Sequence, residues 1–159
     1  MRFGRTAWAL ILLLGAYPAM AADPVPPPAA AAALLPWKLD PAVLAGEGLS
    51  EVRPVPKEVL LSGVSRPRRA VLHLGDDVVV VVYEEQPVKL ALRGRGMPYN
   101  EYVHVLAGAL TLTDTRGEAR EFRQGDFLVI PQGFTGTWET HGTFRELVVI
   151  TRAAWDSTH

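Results

Sequence analysis

From Lys57 onward the chain is written in short β-prone runs separated by turn residues, with no helical stretch between them. Val59-Leu60-Leu61, Ala70–Leu74, Val78–Tyr83 and Val88–Leu92 open the series. Tyr102–Leu106, Leu110–Thr113, Phe127–Ile130, Thr137–Glu139 and Phe144–Thr151 continue it. Gly75-Asp76-Asp77, Gln86-Pro87, Arg116-Gly117, Gln124-Gly125-Asp126 and Thr140-His141-Gly142 stand between them as turns. Many short strands at regular spacing predict an all-β sandwich or barrel. Gly108, between two apolar runs, marks a bulge or bend that would curve the sheet.

The N-terminal third is of a different kind. Arg2 and Arg5 precede a short apolar run over 7–16, Pro18 follows, and Ala19-Met20-Ala21 has the small-x-small pattern of a signal peptidase site. The run is too short for a membrane span, which takes about 20 apolar residues. Residues 1–21 therefore read as a signal peptide cleaved after Ala21, which predicts a periplasmic or secreted protein without stable membrane insertion. Residues 22–36 are almost entirely alanine and proline and read as a tether. Residues 37–66 form an N-terminal extension expected to pack on the barrel, and 67–159 form the barrel domain. Within the extension, Asp40-Pro41-Ala42-Val43-Leu44 reads as a single helical turn with Asp40 as N-cap and Pro41 at the first helical position.

Composition removes several function classes. With Arg2 and Arg5 cleaved away, acidic residues modestly outnumber basic ones, so there is no electrostatic footprint for nucleic acid. No cysteine is present, which excludes a disulfide framework, a cysteine nucleophile and thiolate metal ligation. No nucleophile elbow, phosphate loop or Ser-His-Asp order is found.

Two segments carry a family resemblance. Tyr99-Asn100-Glu101-Tyr102-Val103-His104-Val105-Leu106-Ala107-Gly108 is similar to the first cupin motif, with a glutamate seven positions before a glycine. Phe122 to Glu139 is similar to the second, with the Gly125-Asp126 turn, the Pro131-Gln132-Gly133 turn and the Gly136-Thr137-Trp138 strand. More narrowly, the chain resembles the small single-domain cupins related to (S)-ureidoglycine aminohydrolase. The resemblance implies a jelly-roll barrel and, as in cupins generally, a homodimer. In most cupins two histidines and a glutamate of the first motif, with a histidine of the second, hold one divalent metal. Here the upstream positions read Arg95-Gly96-Met97 and the downstream one is Gly136, so Glu101 alone remains. A single carboxylate is too few ligands, and we expect neither a metal nor another cofactor.

Period-two counting puts Glu101, Val103 and Val105 on one strand face and His104 on the other. It also groups Gly136, Trp138 and Thr140, which by the resemblance line the cavity. Glu146 stands where related cupins often carry lysine. The predicted pocket is therefore Glu101, Trp138, Thr140, Glu146 and Tyr99, with Glu101 as the candidate acid or base; for Tyr83 and Tyr99 the default position is the surface. Burial would raise the Glu101 pKa, which suits acid or base chemistry and equally a structural brace. Three functions follow as expectations: a metal-free module binding a small organic ligand, a metal-independent enzyme on a small nitrogen-containing or carbonyl substrate, or a structural module with a filled barrel.

Overall fold

The structure is a computed structural model that describes residues 35–158. The signal-peptide reading over 1–21, and all of the tether but its last two residues, lie outside the described residues. Residues from Trp37 onward form one compact unit.

The predicted helical turn is α1, Pro41–Leu44, and the Asp40 carboxylate accepts from the Ala42 amide at 2.9 Å. Nine strands follow: β1 Ser50–Glu51, β2 Leu60–Gly63, β3 Arg68–Leu74, β4 Val78–Glu85, β5 Val88–Leu92, β6 Glu101–Asp114, β7 Ala119–Arg123, β8 Phe127–Ile130 and β9 Gly136–Thr151. A second helix, α2, covers Arg152–Thr158. Every strand pairing is antiparallel. The path β1-β3-β4-β9-β5-β2 continues through β9 into β6, which also pairs β7 and β8. The sheet curls on itself because β6 and β9 are long enough to serve both halves. The first part of β9 pairs β5 and its second part pairs β4, while β6 runs beside it throughout.

One predicted bend and one predicted turn lie inside these long strands. The β6–β9 register shifts on both sides of Ala107. Gly108 there has φ 69°, and a Cβ at that position would stand 2.7 Å from the His141 carbonyl oxygen, so the close approach requires glycine. Thr140-His141-Gly142, expected as a turn between strands, lies within β9 instead, held by pairing to β6 and by a 3.0 Å contact between His141 Nε2 and Thr111 Oγ1.

The extension is woven into the sheet, since β1 pairs β3 and β2 pairs β5. The core fills the inside of the curl with Val79, Val81, Val105, Leu110, Ile130 and Val148. At about 25 cal/mol per Å², burying each such side chain stabilises the fold by about 1.5–3 kcal/mol. Met97, in the segment where the family resemblance places a ligand histidine, is buried in this same core. Helix α2 begins on Thr151, whose Oγ1 accepts from the Ala154 amide at 3.2 Å, and carries an Arg152–Asp156 ion pair at 2.9 Å. Ala154 and Trp155 pack against the core from this helix.

Candidate active site and ligand pocket

Adjacent strands set the site. Tyr83 on β4 stands opposite Glu146 on β9, and Leu90 on β5 stands opposite Trp138 further back on β9. Trp138 meets Phe144 edge to face, with ring centroids 6.5 Å apart. Together with Val55 from the extension and Thr158 from α2, these side chains line an open cleft of about 720 Å³.

Two carboxyl groups lie in this region without a cation of their own. Glu146 is 7% exposed, and its Oε2 is buried with no hydrogen-bond partner among the described residues. Burial first, and then the charge of Glu101, push its pKa well above the ordinary carboxylate value. Burial likewise pushes Glu101 up to about 7, opposed by a hydrogen bond with the Tyr99 side chain. Tyr99 is itself pushed up to about 12, by burial and then by the Glu101 charge, while a hydrogen bond with Thr158 pulls it down. It therefore stays protonated at neutral pH and can donate to Glu101. Burial also raises Tyr83, against the lowering effect of Arg69, whose Nη1 lies 3.4 Å from the tyrosine hydroxyl.

Most of the predicted pocket comes together. Trp138 and Glu146 line the cleft, Glu101 lies close enough to shape the titration of Glu146 and Tyr83, and Tyr99 hydrogen-bonds Glu101. Thr140 does not join them. Its hydroxyl donates to the Gln86 carbonyl at 3.0 Å and accepts from the Val88 amide at 3.0 Å, which ties β9 to the β4–β5 turn. Tyr83 and Tyr99 corrected the surface default, because both are partly buried against the core. The signal for Tyr83 was its place in the Val78–Tyr83 run, where alternation puts it with the buried Val79 and Val81.

The metal set that the family resemblance suggests has no counterpart here. Among the described residues no three His, Cys, Asp or Glu side chains converge on one point. Met97 packs in the core, and at Gly136, with φ 141°, an added Cβ would run into the Thr113 carbonyl oxygen, leaving no room for a side chain. His104 faces away from the core and stacks on Phe127, with centroids 4.0 Å apart and planes within 8°. A buried acid pair and two tyrosines are a poor donor set for a first-row divalent ion.

Residues 77–146 match the EutQ-like cupin domain. Over this stretch the chain is similar to that cupin domain. Among solved structures, the cupin fold is shared with a protein of unknown function of the DUF861 family from Pseudomonas syringae pv. tomato. That pair is 18% identical with TM-score 0.58, covering 64% of this chain and only 43% of the other. The EutQ protein of Clostridium difficile is also 18% identical, with TM-score 0.51 over 68% of this chain and 80% of the other. No curated protein matches by sequence. The family match names the EutQ-like cupin rather than ureidoglycine aminohydrolase, and at these identities the structural matches establish the fold alone.

Proposed function

We propose that this cupin binds a small organic ligand in a metal-free barrel pocket, over the Glu101–Glu146 acid pair. The observation that carries the proposal is Glu146, a cleft-lining carboxyl with a buried oxygen that no described residue satisfies. Leaving such a group unpaired costs about 1–3 kcal/mol, which a purely structural residue has no reason to retain. An open cleft of about 720 Å³ argues against a barrel closed by its own side chains.

A second reading is favoured by one specific observation. Glu101 titrates at about 7, where a carboxyl serves equally as acid or base at neutral pH. In this reading the protein is a metal-independent enzyme on a small nitrogen-containing or carbonyl substrate, of the ureidoglycine aminohydrolase kind. The leader-like residues 1–21 support an exported, periplasmic or secreted site of action. The apolar outer face around Tyr102, His104, Phe127 and Val129 supports a homodimer, since Phe127 is 77% exposed.

Elemental analysis of protein purified without chelators, paired with a fragment screen followed by NMR, tests the pocket. Substoichiometric metal and shifts at Trp138 are expected; stoichiometric metal, or no fragment in the cleft, would overturn it. Glu101→Gln then separates the two readings. A binder keeps a measurable but altered affinity, whereas an enzyme loses turnover by about 10²-fold or more.

A further inference from the structure

The cleft is lined by groups of both signs. Arg53, which is exposed, and Arg69, which is half-buried, form no ion pair among the described residues. The Arg69 guanidinium lies 4.7 Å from the Trp155 ring centroid on α2 and 3.4 Å from the Tyr83 hydroxyl. The other carboxylates lining the cleft are already engaged. Glu84 is clamped by Arg68 and Arg145, and Glu85 accepts from Ser65 Oγ and the Arg66 amide, both at 2.7 Å. The lining groups without an ion pair among the described residues are therefore the two arginines and the buried Glu146, which has Glu101 nearby.

Each simple ligand class satisfies only half of this arrangement. A plain anion would pair the arginines but leave the Glu146 carboxyl without a partner. A plain cation would pair Glu146 but leave two guanidinium groups that gain nothing. The cleft also has an apolar lining, from Val88, Leu90 and Trp138, and an indole face favours a cation.

Resting on the pocket reading above, we propose that the ligand is a small zwitterion with its charges at opposite ends. Its ammonium or other cationic nitrogen sits against Glu146, its apolar spacer lies along Leu90 and Trp138, and its carboxylate-like group meets Arg53 and Arg69.

The test is an NMR titration of the full domain with three probes of one length: δ-aminovalerate, pentylammonium and pentanoate. The inference expects δ-aminovalerate to bind at least about tenfold more tightly than either single-charge probe, a margin that one added charge contact readily supplies. Arg53→Gln, at an exposed position that leaves folding intact, is expected to shrink the preference over pentylammonium. Glu146→Gln is expected to shrink the preference over pentanoate. Equal or tighter binding of pentanoate or pentylammonium overturns the zwitterion while leaving the pocket standing. So does failure of all three probes when neutral fragments still shift the Trp138 indole. If neither the probes nor the fragments bind, the pocket reading falls with it.

Discussion

Glu84 and Glu146 sit on neighbouring strands, β4 and β9, one register step apart and on opposite faces of the same sheet. Both are nearly inaccessible, yet their surroundings are opposite. On the outer face, burial pushes the Glu84 carboxyl up, but hydrogen bonds and charge from Arg68 and Arg145 outweigh it and hold the group below its ordinary value. Gly46, just after α1, lies against the Arg145 guanidinium and ties the extension to this network. On the inner face Glu146 has, among the described residues, no ion pair, one unsatisfied oxygen and a second acid for a neighbour. The contrast separates a carboxylate used to hold the fold from one whose polar capacity is left for something else. A buried charge with partners is consistent with architecture; a buried acid without them marks a site.

The largest effect expected from this contrast is at Glu84. Glu84→Gln leaves two guanidinium groups facing a neutral amide and should cost about 3–5 kcal/mol, read as a lowered midpoint in denaturant or heat. The inner acids should behave in the opposite sense. A carboxyl whose pKa is raised on folding contributes stability below its unfolded value, and that contribution is lost as pH rises through the folded value. Taking Glu101 from 4.5 to about 7, the protein should lose roughly 3 kcal/mol between pH ~4.5 and ~8 from this group. Glu101→Gln and Glu146→Gln should therefore stabilise the fold above neutral pH, have little effect near pH ~5, and flatten the melting profile in between. If both variants melt lower than the parent at alkaline pH, the inner acids are structural braces and the contrast is wrong.

Smaller effects sharpen the picture. Tyr99→Phe removes the hydrogen bond that pulls Glu101 down, so its titration should move upward, visible by carbon-detected NMR. His104→Ala removes a stacked ring on the outer face and should leave cleft binding unchanged. Its expected consequence is confined to self-association, measured by sedimentation, at about 1 kcal/mol or less. A loss of cleft binding on this substitution would show that the two faces are coupled.

The sequence makes the barrel readable because its strands are rich in valine, isoleucine and leucine and its turns carry glycine, proline and aspartate. What it conceals is continuity. Gly108 is read as the bulge or bend that it is. Thr140-His141-Gly142 looks like a turn between strands, yet cross-strand pairing carries β9 through it. β7 escapes notice because Ala119–Arg123 is largely exposed and shows no apolar alternation. Helix α2 escapes because seven residues give too little periodicity, although the Thr151 cap and the Arg152–Asp156 spacing were present. In the site, alternation along a strand groups Glu101 with Val103 and Val105 and brings in Trp138, while Glu146 is reached only through the family resemblance. Alternation misplaces Thr140, whose hydroxyl is held by backbone 52 residues away in sequence, a contact that no local pattern encodes. Nor could it identify which of the two buried glutamates on β4 and β9 has partners, because Arg68 and Arg145 reach Glu84 only once the strands have paired.

The central claim is that burial, without a cation of their own among the described residues, raises the titration of Glu101 and Glu146 above the ordinary carboxylate value. Following the side-chain carboxyl carbons of all glutamates by NMR across pH ~3 to ~9 tests it most directly. The account predicts one resonance, lost in Glu101→Gln, that titrates at about 7, and a second, lost in Glu146→Gln, that titrates well above the ordinary carboxylate value. Titration of every glutamate below pH ~5 would contradict it.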